Sequence, residues 1–450
     1  MVAHARPDLK AGWLQGGEAA RGGRGADAAG PGLMGRRLYL PRMTDCGAEA
    51  LAAALRSVGI DAMVLPPSDS RTLELGARHL AGEECLPAKV TLGDFLRVVE
   101  TPGFDPGKTA FMMATTEGPC RFGQYVPYLR KVFRDLGYPE IMVVSPSSGD
   151  GYRQVGASGP DFTRTAWRGF VASDILRKLL LRTRPYERAP GAADAAYALS
   201  LRELCATLES PRLTHRERLE ALVAALIRIR DRFRGLPAGY ERGRLLIGIQ
   251  GEIFCRMNDF SNDHLIRRLE ACGGEAWLSD ISEWVWYCNN HQEHCLRRDG
   301  RRFSLAMLRA KIRDRIQHAD ELALRASFVE DFRGYEDPAD IEEVLRAGDA
   351  YLPQAGAAGE MVMSAGKVDY FFRKGVDGII DISPFSCMNG IVSEALYPRQ
   401  SQEHAGIPIK NFYFDGKGGD LTDDLEIFLE LARAYQRRKP HPRRHPSCFP

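Results

Sequence analysis

Three cysteines stand in turns that could hold a thiolate where a cofactor can reach it. Cys85 lies in EECLPAK, Cys120 in EGPCRFGQY and Cys387, far downstream, in DISPFSCMNG. Each turn carries a proline or a glycine beside the cysteine, and two of the three directly follow an apolar, β-like run. Gly118 and Gly123 allow close backbone approach, and Pro119 sets the φ of its turn. A sulfur just past a strand and just before a helix faces unpaired N–H groups and about half a positive charge, both of which favour thiolate. Three thiolates gathered from distant segments suit an iron–sulfur cluster with one iron left without a protein ligand. The same turns also fit three buried cysteines with no cofactor.

The elements around them alternate. RLYL at Arg37–Leu40 reads as a strand, Ala48–Val58 as a helix stopped by Gly59, and Ala62–Leu65 as a second strand. A helix at Val90–Val99 follows Cys85. The apolar run Thr109–Thr115 precedes Cys120, and helix Tyr125–Leu136 and strand Ile141–Val144 come after it. A second such unit begins with strand Leu245–Ile249. It continues through a helix capped by Ser261, strand Glu275–Leu278, and helices at Phe303–Ala326 and Ile341–Arg346. Strand Gly378–Ile382 then leads into Cys387, helix Met388–Leu396 and a closing strand Ile407–Phe414. This alternation predicts an α/β fold with two open, mostly parallel-sheet lobes, at 38–158 and 244–416, joined by a helical segment at 159–243. In that segment Thr214 and Glu217 form a capping box, and Leu219, Leu222, Leu226, Ile229 and Phe233 recur at helical spacing up to Gly235. The two lobes could stem from a duplication, although no sequence repeat is clear. Residues 1–37, rich in Gly, Ala and Arg without period, read as a disordered tail. Residues 417–436 read as a C-terminal helix and 437–450 as a basic, Pro-rich tail in which Cys448 is incidental.

At 450 residues the chain can bury a large core in two or three domains. Lys plus Arg number 61 against 59 Asp plus Glu, so no global field draws nucleic acid. No apolar run approaches the ~20 residues of a membrane span, and no secretory leader is evident. Ten irregularly spaced cysteines do not read as a disulfide framework, which points to the reducing cytoplasm.

One other constellation competes: Cys288, His291, His294 and Cys295 in CNNHQEHC. On a helix Cys288, His291 and Cys295 share a face and could meet a zinc ion, with Cys255 or Cys272 as a distant completion. The neighbouring SEWVWY favours a structural helix packed by Trp284 and Trp286.

The three cysteine runs, together with GIQGEIFCRMNDFSNDHLIRRLE at Gly248–Glu270, resemble the 2-hydroxyacyl-CoA dehydratase family. They are most similar to the D-component-like proteins associated with acyl-CoA dehydratase activases. The resemblance covers about Leu38 to Phe414 and rests on four blocks in order. It implies Cys85, Cys120 and Cys387 as ligands of a 4Fe–4S cluster. It departs at Asn389, where many relatives carry proline after Cys-Met. It further implies an oxygen-sensitive lyase or ATP-coupled reductase component acting on an acyl-CoA substrate. An ATP-dependent, ASKHA-type activase would supply one low-potential electron, and the open iron would bind the thioester carbonyl or hydroxyl oxygen. The activase's own ATP-binding domain is absent, and no Walker-type loop replaces it. A homo- or heterodimer is compatible with the family.

Glu84, Glu117, Arg121 and Gln124 stand near the ligands and could contact substrate or cluster, although capping and surface pairing suit each equally. The Gly251–Glu252 and Asn258–Asn262 stretch is expected at the same sheet edge, shaping a substrate cleft. The alternatives within the resemblance are a double-cubane type of reductase and a non-catalytic electron-transfer or accessory subunit of an activase system. A third is a protein of similar fold whose cysteines bind nothing.

Overall fold

The computed structural model describes residues 33, 35–116, 120–145, 159–210, 213–354 and 356–449. Most of the expected N-terminal tail, and Glu117, Gly118 and Pro119, lie outside the described residues.

The first lobe runs β1 (Arg37–Leu40), α1 (Asp45–Arg56), β2 (Ala62–Val64), α2 (Ser70–Ala77), α3 (Leu86–Val99), β3 (Thr109–Met112), α4 (Tyr125–Asp135) and β4 (Met142–Val144). Its four strands are all parallel, in the order β2-β1-β3-β4. Helices then follow one another: α5 (Gly159–Thr183), α6 (Ala192–Glu209) and α7 (His215–Arg234), the last opened by the Thr214–Glu217 capping box and ended at Gly235.

The second lobe opens with β5 (Leu245–Gly251), α8 (Ile253–Met257), α9 (Leu265–Ala271) and β6 (Gly274–Leu278). Helices α10 (Ile281–Arg298), α11 (Leu305–Arg325), α12 (Ile341–Gly348) and α13 (Glu360–Lys374) come next, then β7 (Gly378–Pro384), α14 (Met388–Glu403), β8 (Ile409–Phe414) and α15 (Thr422–Gln436). This sheet is also all parallel, in the order β6-β5-β7-β8. The two sheets therefore share one topology, with the strand order reversing between β1 and β3 in the first and between β5 and β7 in the second. Ligands of open parallel sheets bind outside the carboxyl ends of the strands at such reversals.

Packing redraws the expected boundaries. The apolar faces of α5, α6 and α7 close one core together with Trp286 of α10, Leu324 of α11, and Phe328 and Phe332 beyond it. A helical face must be covered by whatever lies beside it in space, so 281–332 serves the helical layer as much as the second lobe. Trp284 packs instead with Tyr287 and Val344 under α12. The lobes also share apolar surface: Leu86 and Val90 of α3 join Ile249, Ile382 and Leu425 of the second lobe.

Two local expectations change. Ser261 is not the cap of the next helix: α9 begins at Leu265, after His264 in the left-handed region. The Ser261 N–H instead donates to Asn258 Oδ1, so the segment closes as a turn. The basic C-terminal stretch is strapped down. Arg443 pairs with the buried Glu275 at 2.6 Å, Lys439 with Asp377 at 2.8 Å, and the Phe449 ring packs on Tyr186 and Tyr240. Among the described residues no helix is long and apolar enough to cross a membrane.

Candidate metal centre

Cys85, Cys120 and Cys387 occupy the same structural position. Each is the extended residue immediately before a helix: Cys85 before α3, Cys120 before the 3-10 turn Arg121–Gln124 that runs into α4, and Cys387 before α14. Their φ angles are −69°, −67° and −69°. This is the capping position, where a side chain meets the unpaired N–H groups of the first turn. None of the three closes a regular capping hydrogen bond. The N–H dipoles of Ala88, Phe122, Asn389 and Gly390 nevertheless face the sulfurs and favour thiolate.

Arg121 draws the three turns together. Its guanidinium donates to the Glu83 carbonyl, two residues before Cys85, and at 3.3 Å to the Ser386 hydroxyl, beside Cys387. Ser386 has φ +61°, a conformation that a serine holds only when its surroundings enforce it. The tight turn at Cys120 needs Gly123, where a Cβ would stand 2.7 Å from the Thr116 carbonyl. Gly251 is as strict: its φ is +110° and a Cβ there would lie 2.2 Å from the Ile382 carbonyl. That close approach brings Glu252, at the end of β5, beside the end of β7.

Burial pushes the thiols of Cys85, Cys120 and Cys387 upward, and the helix ends do not reverse it. The Glu252 carboxylate acts on all three in the same direction. A nucleophilic cysteine needs the opposite, a depressed pKa. A metal ligand does not, because binding itself expels the proton. Tyr125 shares a hydrogen bond with the Cys85 thiol.

Among the described residues no three His, Cys, Asp or Glu side chains close up as the donor set of a metal ion. The cysteine turns nonetheless fit a cluster, whose own edges hold its ligands farther apart than one ion does. The donor set is all sulfur, and each sulfur sits at a helix start.

The sequence did not single out Glu360. It opens α13, is almost fully buried, accepts from the Ile253 N–H at 2.7 Å and pairs with Asn389 Nδ2 at 3.2 Å. Burial, followed by the nearby Glu252 carboxylate, raises its carboxyl to about 8. Glu252 is raised as well, by burial, against the N–H groups of Cys255 and Phe254 that it caps. A protonated Glu360 needs an acceptor, and the Asn389 amide turned over offers its otherwise unpaired oxygen. Proline at that position could not. Because the fold holds a proton that the unfolded chain releases above about pH 4.5, this carboxyl costs stability as pH rises toward 8. Cluster-free Glu360→Gln protein should lose about 2–3 kcal/mol less than the parent between pH 5 and pH 8 in urea titrations. Equal slopes would refute the shift.

The remaining candidates fall as follows. Glu84 turns back on the N–H groups of Ala81 and Gly82, which outweigh burial and lower its carboxyl; it closes the loop before Cys85. Gln124 makes no side-chain hydrogen bond among the described residues. Asn258 donates to the Arg42 carbonyl at 2.7 Å, and Asn262 to that of Cys255 at 2.8 Å, so both hold backbone. Cys255 is fully buried near Cys85 and Cys387, as a core residue. On α10, Cys295 Sγ lies 3.5 Å from His291 Nε2, while Tyr287 stacks on His291. No family model matches the chain, and no curated protein matches it.

Proposed function

We propose that Cys85, Cys120 and Cys387 hold a 4Fe–4S cluster. In this reading the chain is a cytoplasmic, 2-hydroxyacyl-CoA dehydratase-like protein that receives an electron from an ATP-dependent activase and acts on an acyl-CoA-type thioester. The observation that supports the reading is that Arg121, beside Cys120, ties the turn before Cys85 to the turn before Cys387, each cysteine standing at a helix start. When bound, such a cluster supplies a low-potential electron and an iron without a protein ligand.

The chain's own residues do the rest. The N–H dipoles at the three helix starts offset the negative charge of thiolates. Arg121 fixes the turns relative to one another. The Glu360 carboxyl, near neutral pH, carries a proton at the oxygen facing Asn389, close to Cys120 and Cys387. A departing hydroxyl group requires a proton of that kind. Phe385, Met388 and Ile391 expose apolar surface around Cys387, which would exclude water once a thioester or the activase lies over it.

The test is anaerobic purification with iron and acid-labile sulfide measured per chain, followed by EPR with activase, ATP and a panel of 2-hydroxyacyl-CoA esters. About four irons per chain, bleached by air, and a signal altered by the activase are expected. A chain that takes up no iron under anaerobic reconstitution would refute the cluster. Iron without any response to thioesters would leave the electron-transfer subunit as the function.

A further inference from the structure

A buried hydroxyl is aimed at the sulfur of Cys85. It belongs to Tyr125, which opens α4 five positions after Cys120. The ring is buried in the core that holds Phe95, Phe111 and Leu129, and it meets Phe122 edge-on with centroids 5.1 Å apart. A phenylalanine ring would fill the same space, so what tyrosine adds is its oxygen. That oxygen reaches back 40 positions to the Cys85 sulfur, at 2.6 Å. Tyr125 is thus joined to one cysteine turn through the chain and to another through its hydroxyl.

The direction of this bond follows from chemistry. A free thiol can donate or accept, but a cysteine that binds iron is a thiolate and has no proton to give. A phenol keeps its proton up to about pH 10, so at neutral pH Tyr125 is the donor. The core already holds the ring, so the bond forms without ordering a free side chain. The three sulfurs are unequal in this respect. Among the described residues those of Cys120 and Cys387 meet backbone N–H groups and no side-chain hydrogen bond. Cys85 meets the Ala88 N–H and the Tyr125 hydroxyl as well.

We propose that Tyr125, acting through Cys85, raises the reduction potential of the cluster by donating its hydroxyl hydrogen to that ligand's sulfur. The inference rests on the assignment of Cys85, Cys120 and Cys387 as the ligands. Reduction adds one negative charge, part of which falls on the sulfurs, and a hydrogen bond to a sulfur stabilises the more negative state more strongly. Tyr125 is therefore a positioning residue. Its loss leaves the three thiolates and the Arg121 tie in place.

Tyr125→Phe, reconstituted anaerobically with iron and sulfide, tests this. Iron per chain is expected to stay at the parent level. In a titration with Ti(III) citrate followed by EPR, the ratio of reduced to oxidised protein at a fixed potential is expected to fall about tenfold, a midpoint lower by about 59 mV for one electron. Electron–nuclear double resonance of the reduced parent is expected to show one exchangeable proton that Tyr125→Phe lacks. Tyr128→Phe is the control, because its hydroxyl bonds the His79 carbonyl instead, and it should match the parent in both readouts. Should Tyr125→Phe hold no iron, 3-fluorotyrosine placed at position 125, a stronger donor of similar shape, is expected to raise the midpoint. An unchanged midpoint in the variant that holds iron, no difference in exchangeable protons, or an equal shift in Tyr128→Phe overturns the proposal and leaves the ligand assignment standing. A parent that takes up no iron overturns the ligand assignment and this inference with it.

Discussion

Alanine at Cys85, Cys120 or Cys387 is expected to strip the protein of iron. Anaerobically reconstituted parent should carry about four irons per chain and each variant fewer than one, because two thiolates do not hold the cube. Serine is a poorer probe, since its alkoxide can keep partial occupancy. The controls are Cys205, Cys272 and Cys448, whose replacement should leave iron unchanged. Cys205 lies in α6, Cys272 just beyond α9, and Cys448 beside Arg182 in the C-terminal strap. Cys387 is the most discriminating of the three, because Asn389 beside it departs from the turn of the family that the sequence resembles. Iron at the parent level in Cys387→Ala would end the three-ligand assignment. Cys255, buried within electrostatic reach of Cys85 and Cys387, would then be examined as a substitute ligand.

The second large effect is on stability. Asp337→Ala should cost about 1.5–3 kcal/mol, because it removes the carboxylate that Lys178 and Arg325 share and leaves Asp280 alone to the lysine and Asp280 with Glu321 to the arginine. Lys178 of α5 approaches both Asp337 oxygens at 2.6 Å, and Arg325 at the end of α11 pairs with Asp337 and, at 3.2 Å, with Asp280. The lysine and both aspartates are almost enclosed. Burial pushes the Asp337 carboxyl up, but the Lys178 and Arg325 charges outweigh it and hold it well below the usual carboxylate range. The sign follows. Stability from this group is complete above the ordinary carboxylate pKa near 4 and is lost as pH falls beneath it. Urea unfolding followed on the helical-layer transition should show the deficit at pH 7 and a smaller one at pH 3. Removing Arg216 from its fully exposed pair with Glu220 is the null comparison. An Asp337→Ala protein as stable as the parent would show that the helical layer is held by its apolar core alone.

The α/β alternation was legible because strands and helices carry their periods locally. Apolar runs such as LLIGIQG, and stops such as Gly59 and Gly137, mark parallel strands and helix ends without reference to anything distant. The turns of Cys120 and Cys387 were legible for the same reason, each lying between a strand and a helix written in consecutive residues, whereas the helix after Cys85 begins at Leu86 and not at Val90. Boundaries of the layers were not. α10 and α11 follow a strand of the second lobe in sequence, yet part of their surface closes the core of α5–α7, and which face a helix presents depends on what folds beside it. The cap at Ser261 failed because Asn258 took the Ser261 N–H first and closed a turn.

The sequence by itself determined the α/β alternation, the parallel sheets and the place of Cys120 and Cys387 between a strand and a helix, since each rests on short-range periodicity and chain stiffness. Tertiary structure alone decided that Arg121 ties the three turns and that Glu360, 108 positions beyond Glu252, stands within electrostatic reach of it. It alone decided that burial outweighs the helix dipoles at the sulfurs. The reason is physical: a pKa, a buried charge pair and an uncovered face are properties of what surrounds a group in space, and the surroundings come from segments that carry no mark of one another.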